Sequence, residues 1–297
     1  MVGVATGLGW QLLRFRPGRS PRRWRSYSYL VEGVDFSRRS EPLPTGPTAR
    51  RAITIVRVLD EDLGLAAAID PARREQARIR AIAPLLELPI GSWQPPQCAR
   101  RPGRDLGLLV LSGLLLRDVQ LAGRRFVELR GPEDLLRPWD DAADVTSVSA
   151  RPSWTAREPT RLAWLDGDFA SEIASWPEIT SVLIERATRR ARLLSFRLAI
   201  LELRHVHLKV LLLLWHLADR WGRVTSEGVR LNLELTHELI ASMVGAHRTS
   251  VTLALNKLTD EGRITKQGRG WLLLGAPPQD LSDRAAAIAA REPSPFP

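Results

Sequence analysis

Between Ala241 and Leu258 the chain reads ASMVGAHRTSVTLALNKL, and its polar donors crowd into four consecutive positions, His247, Arg248, Thr249 and Ser250. An arginine fork can bond the O6 and N7 of a guanine together, a contact that discriminates between bases by roughly 1–3 kcal/mol. Serine and threonine hydroxyls suit phosphate oxygens, which fix register. Those residue types, placed at the start of a helix, point to base reading. Val251, Ala254, Leu255 and Leu258 recur at helical spacing and must face inward, which turns Arg248, Thr249, Thr252, Asn256 and Lys257 outward. Upstream, Thr236 is placed to cap a short helix with its hydroxyl, and Glu238 sits in a first turn that favours negative charge. Gly245 then supplies the permissive backbone of a tight turn. Downstream, Ile264 to Leu274 spells strand, turn and strand, with Lys266 and Arg269 at the tip, where they can rest on phosphates. The predicted DNA-contacting set is therefore Thr236, His247, Arg248, Thr249, Ser250, Thr252, Asn256, Lys257, Lys266 and Arg269.

Other chemistries find little support in the sequence. Cys98 stands alone, so it forms no intrachain disulfide and provides no thiolate cluster. His205, His207, His216, His237 and His247 all lie beyond the strand-rich region, which leaves that region without a histidine for haem or a metal centre. His205 and His207 lack an evident third ligand, and His247 reads as a helix cap or a phosphate contact. Asp140, Asp141, Asp144, Asp166 and Asp168 fall in turns with no partner base, nucleophile elbow or glycine-rich phosphate loop. We expect no enzyme, no metal and no resident cofactor, and the sequence names no effector.

The elements that must position the site follow from charge and periodicity. The net charge is +10, but ten arginines against three acids lie between Met1 and Arg51, whereas His216 to Gly275 holds eight Lys/Arg against six Asp/Glu. Net charge therefore says little about the last third, and residues 1–51 read as a basic, disordered leader. Asp70 and Pro71 open a predicted helix whose apolar positions Ile79, Ile82 and Leu86 carry it towards Pro89. From Leu106 to Asp166 the period shortens to strands punctuated by Ser112-Gly113, Ala122-Gly123 and Gly131, with hairpins expected at these glycines and VTSVSA as a further strand. After Pro177 one long helix runs to about Leu203. Its stripe, Ile184, Ala187, Ala191, Leu194, Leu198 and Leu201, has coiled-coil spacing and predicts a two-fold dimer, with Arg186, Arg189, Arg190, Arg192 and Arg197 off the stripe as solvated flanks. A second helix stops near Gly222, and Val229 to Leu235 alternates as a half-buried strand. Apolar runs are far too short to cross a bilayer and no export signal is evident, so a soluble cytoplasmic protein with no membrane partner is expected.

Residues 235–275, LTHELIASMVGAHRTSVTLALNKLTDEGRITKQGRGWLLLG, resemble the winged helix-turn-helix of Crp/Fnr-type transcription regulators. The resemblance implies an α+β chain: a jelly-roll-like β-barrel of the cyclic-nucleotide-binding type, a long dimerisation helix and a C-terminal winged helix-turn-helix. The corresponding boundaries are 1–51 for the leader, 52–176 for the sensor with its leading helix, 177–203 for the dimerisation helix, 204–276 for the winged domain and 277–297 for a flexible tail. It also implies a homodimer on a pseudo-palindromic operator in double-stranded DNA, with RNA polymerase as a further partner. Arg248 takes the family's base-reading arginine position and Ser250 a phosphate-contacting one. Thr249 stands where an acidic residue often follows, and Leu253 at a later basic position, so the base preference should differ. In RGPEDLLRPWDDAADVTSVSA, Leu136 falls about where the family's cyclic-nucleotide pocket has a glutamate, no Arg-Ser or Arg-Thr pair follows, and Arg137 reads as a surface residue. Binding of cyclic AMP in the usual way is not expected. An alternative reading is a small-molecule-binding module whose winged domain contacts protein.

Overall fold

A run such as Gly107-Leu-Leu-Val-Leu is apolar on successive residues, a pattern that suits a strand buried on both faces. The computed structural model, which describes residues 54–96, 105–140 and 152–278, gives it that place. Strands β1 (Ile55–Arg57), β2 (Ile82–Leu88), β3 (Gly91–Trp93), β4 (Gly107–Ser112), β5 (Leu115–Leu121), β6 (Arg124–Arg130), β7 (Leu135–Leu136), β8 (Pro152–Ala156) and β9 (Thr160–Leu165) form two antiparallel sheets, ordered β1-β2-β9-β4-β7 and β3-β8-β5-β6. Leu108, Val110 and Leu162 point between the sheets towards Leu115, Leu136 and Trp154. Their neighbours Leu109, Ala163 and Leu165 point the other way, onto α1 (Val58–Glu61), α2 (Leu63–Ala67), α3 (Pro71–Arg80), α4 (Gly167–Glu172) and the start of α5 (Pro177–Glu202). The expectations for residues 1–51, for VTSVSA and for Cys98, and the tail beyond Pro278, lie outside the described residues.

Four expectations are corrected. The Asp70 cap forms as predicted, its carboxylate accepting from the Ala72 N–H at 2.8 Å, but the helix ends at Arg80 and Ile82–Leu88 is a strand. Pro84 explains this: it breaks a helix interior, while β2 accommodates it opposite Ile55. Ser112-Gly113 and Gly131 are corners between sheets, because β4 and β5, and likewise β6 and β7, belong to different sheets. There Gly113 has φ +91°, and a Cβ would lie 2.4 Å from the Pro159 carbonyl oxygen, so only glycine fits. The true hairpin turn is Ala122-Gly123, with φ of +47° and +73°, joining β5 to β6. The strand predicted across Val229–Leu235 stops at Leu231, although Leu233 and Leu235 stay buried, and a hairpin partner, β10 (Gly222–Thr225), precedes it.

The fourth correction concerns α5. Arg186, Arg190 and Arg197 are not solvated flanks. Their i, i+4, i+11 spacing puts them on the same face as the buried Ile179 and Leu183. Arg186 forms a fork with Asp62 at 2.5 and 2.8 Å, Arg190 reaches Glu128 at 2.7 Å, and Arg197 donates to the Val127 carbonyl at 2.9 Å. On the neighbouring stripe, Ile184 and Leu198 are each 62% exposed, Ala187 and Ala191 are exposed, and Leu194 and Leu201 are half-buried.

The remaining elements are α6 (Val206–Trp221), β10, β11 (Gly228–Leu231), α7 (His237–Val244), α8 (Arg248–Asp260), β12 (Ile264–Gln267) and β13 (Gly270–Leu273). The four strands form a sheet ordered β10-β11-β13-β12. Its Leu231, Ile264 and Leu273 share one core with Val210, Leu214, Ile240, Val251 and Leu255 of the helices. That core extends without a break to Leu114, Leu116, Val127 and Leu129 of the two-sheet domain, and α7 packs against β6.

Candidate nucleic-acid interface

Local rules account for the pair α7 and α8. The Thr236 hydroxyl accepts the Leu239 N–H at 3.1 Å and starts α7, with Glu238 in its first turn. Leu239, Ile240, Ala241, Met243 and Val244 are buried, and the helix ends on Gly245 at φ +64°, with the Ala246 N–H returning to the Ala241 carbonyl at 3.1 Å. His247 occupies the N-cap position of α8, but its side chain caps nothing. Of its two expected roles, phosphate contact alone is left open. The buried face of α8 is Val251, Ala254, Leu255 and Leu258, as the spacing predicts.

The structure sorts the ten predicted DNA contacts by availability. His247, Arg248, Thr249, Asn256 and Lys257 are exposed, and Ser250 is half-buried. Thr252 is half-buried, its hydroxyl donating to the Arg248 carbonyl at 3.0 Å and lying 2.9 Å from His237 Nδ1. Lys257 lies 4.0 Å from Glu261. Thr236 is committed to its cap. In the wing formed by β12 and β13, Lys266 folds back, its Nζ 4.5 Å from the Trp271 ring centre and 3.3 Å from the Arg269 carbonyl. Arg269 projects, its side chain 88% exposed, with Glu234 at 3.8 Å. Leu253, absent from the predicted set, is 71% exposed beside Thr249 and Asn256 on the outward face. Outward polarity marks the other contact positions in the sequence, and an apolar residue on that face carries no such mark.

In the two-sheet domain, Leu136 is 2% exposed and packs between the sheets. Arg137 donates to Asp140 at 2.6 Å and to the Asp105 carbonyl at 2.8 Å, and lies 5.8 Å from the Trp139 ring centre, so its guanidinium is held within its own domain. The intersheet space holds a Trp93–Trp154 edge contact at 5.8 Å, and Trp139 stacks on Trp164 at 6.5 Å. His205 and His207 have ring centres 5.6 Å apart, and among the described residues no group of three potential metal ligands converges.

Comparison with known proteins places this geometry. The model of the Crp-like helix-turn-helix domain matches residues 209–277. The CRP-like cAMP-activated global transcriptional regulator of Mycobacterium tuberculosis (strain CDC 1551 / Oshkosh) is 34% identical over 177 residues, covering 58% of this chain and 76% of that protein. Among solved structures, a CooA mutant from Carboxydothermus hydrogenoformans aligns with a TM-score of 0.53 at 19% identity, covering 78% of this chain and 94% of that one. A cyclic nucleotide-binding domain containing protein from Listeria monocytogenes EGD-e aligns with a TM-score of 0.54 at 14% identity, covering 72% and 96%. At such identities the structural likenesses concern the fold alone.

Proposed function

The chain belongs to the Crp/Fnr family of DNA-binding transcription regulators, and from that premise we propose that it grips two-fold-related operator DNA as a homodimer. The observation that carries this reading is α8: Val251, Ala254, Leu255 and Leu258 anchor one face, and the other presents Arg248, Thr249, Asn256 and Lys257. Arg248 reads a guanine. Thr249, Ser250 and His247 fix register on the backbone, and Arg269 adds a phosphate contact from the wing. Thr252, Thr236 and Lys266, being engaged within the head, act by holding it in shape.

The stripe Ile184, Ala187, Ala191, Leu194, Leu198 and Leu201 joins two copies along α5. The sensor is a diverged effector domain. The buried Leu136 and the engaged Arg137 support a ligand other than cyclic AMP in the family's usual pose. An effector shifts the population between packings of the sensor on α5, and with it the spacing of the two copies of α8. The protein acts by binding, not catalysis, in the cytoplasm and with RNA polymerase as its further partner.

Footprinting and gel shifts on selected genomic fragments test this. Wild-type affinity should fall linearly on a log–log plot against salt, and Arg248→Ala, present in both copies, removes roughly 2–6 kcal/mol and should weaken specific binding by roughly 30-fold or more. Unchanged specific binding by that variant overturns the assignment of α8.

A further inference from the structure

Where β6, α5, α6 and α7 meet there is a cleft of about 20 Å³, lined in part by Leu129, Arg190, Arg197, His216, Arg220 and Met243. A space of that size holds one particle no larger than a water molecule or a chloride ion. Three arginines and a histidine line it, and among the described residues no carboxylate does. The nearby carboxylates are already engaged, in part by the lining arginines themselves. Glu128, 2% exposed, takes Arg190 at 2.7 Å, Arg130 at 3.1 Å and Arg117 at 3.5 Å. Asp134 takes Arg220 at 3.0 Å and the Gly131 N–H at 2.9 Å.

Arg197 is the most deeply set of these cations, at 7% exposed. Its partners are the carbonyls of Val127 at 2.9 Å and Met243 at 3.5 Å, with the Phe126 ring centre at 4.8 Å. The Nε–H groups of Arg197 and Arg190 are both buried without an acceptor. Burial pushes the Arg197 guanidinium down to about 10; Glu128 opposes the shift, while Arg190 and Arg130 add to it by repulsion. Burial also pushes His216 down, helped by Arg197 and Arg190 and opposed by Asp219. A buried excess of positive charge is costly, and a negative ion beside it relieves that cost.

We propose that this cleft is an anion site, taking a single halide, in practice chloride, between Arg190 and Arg197. The ion sits among the guanidinium groups that line the cleft and screens the arginines from one another. It therefore stabilises the arrangement in which Arg197 joins β6 to α7, the contact between the sensor and the DNA-binding head. Any effect on operator affinity rests on the function proposed above, but occupancy of the site does not.

The test uses the full chain without DNA, so that it fails or succeeds independently of the operator reading. Thermal unfolding is followed as chloride replaces glutamate at constant ionic strength, glutamate being too bulky for the cleft. A saturable rise in Tm of roughly 2–4 °C is expected. Arg190→Gln should raise the half-saturating chloride concentration at least several-fold, while Arg189→Gln, altering an exposed arginine paired with Glu185, should leave it unchanged. In crystals of the unaltered chain grown with bromide, an anomalous peak should lie in the cleft, between Arg190 and Arg197. That measurement decides the matter even if Arg190→Gln fails to fold. A response that is absent, unsaturable or equal in wild type and Arg190→Gln overturns the proposal, as does a response to phosphate but not chloride, or a crystal without the bromide peak.

Discussion

Replacing Leu198 by alanine should weaken self-association by one to three orders of magnitude. Leu198 is 62% exposed on the single chain, as is Ile184 on the same stripe of α5. Full burial of such a side chain contributes roughly 1.5–3 kcal/mol, so covering the exposed part contributes about 1–2 kcal/mol. A two-fold interface contains each substitution twice, which doubles the loss to about 2–4 kcal/mol and raises the dimer Kd roughly 30- to 1000-fold. Sedimentation equilibrium over a range of concentrations measures this directly, with circular dichroism to confirm that the variant is folded. Ile79→Ala is the control: Ile79 is 54% exposed, but on α3 and away from the stripe, and its loss should leave Kd unaltered. A wild-type chain that stays monomeric at micromolar concentration refutes the reasoning. So does a Leu198→Ala variant with wild-type Kd.

Three further outcomes are expected. Asp62→Ala removes both the partner of the buried Arg186 guanidinium and the acceptor of the Leu65 N–H, and should cost about 3–5 kcal/mol in urea unfolding; a loss below about 1 kcal/mol contradicts the pairing. On a selected operator, replacing thymine by deoxyuridine under Leu253 should weaken binding about four-fold, from about 0.8 kcal/mol for one methyl group. Leu253→Ala should lose that sensitivity, and an operator indifferent to every such replacement rules out the contact. His216 is held below the ordinary imidazole range by burial and then by Arg197, so the unfolded chain takes up that proton first. Stability should be fully present above about pH 6.5 and fall as pH drops towards the folded value, with His216→Gln flattening this part of the unfolding profile.

How far the fold was legible depended on the range of the forces involved. The pair α7 and α8 follows from local rules, namely a threonine cap, an apolar stripe and a glycine in the left-handed region, and these are written within about two dozen consecutive residues. The error at Ile82–Leu88 arose because apolar residues at 79, 82 and 86 satisfy helical spacing by coincidence, while the β1 and β9 ladders that make the segment a strand lie far away in sequence. Pro84 was the available warning. Ser112-Gly113 has the composition of a hairpin turn, and only its crossing with Pro159 and Thr160 makes it a corner. The arginines of α5 were read as solvated because charge usually is. Their shared face was visible in the spacing, but their partners Asp62, Glu128 and the Val127 carbonyl come from elements that no local pattern connects to it. Of the predicted DNA contacts, outward placement was legible for Arg248 and Asn256, whereas the internal bonds that engage Thr252 and Lys266 depend on side-chain rotamers that residue type and spacing leave open.

The two faces of α5 also constrain how a signal can travel. The arginine face and the apolar stripe are about a quarter-turn apart on one uninterrupted helix of 26 residues, which spans roughly 39 Å. A continuous helix moves as a rod over that length, so neither face can shift without carrying the other. The DNA-binding head bears on the end of the same rod: Leu201 lies against the turn at Gly245, and Lys209 Nζ donates to the Leu201 carbonyl at 2.7 Å. Arg197, one turn earlier, holds β6 and α7 through their carbonyls. On the proposed mechanism an effector therefore need not touch the head to reposition it. Altering how Asp62 and Glu128 hold Arg186 and Arg190 changes the pose of the rod, and the rod carries both the contact between copies and the platform on which the recognition pair rests.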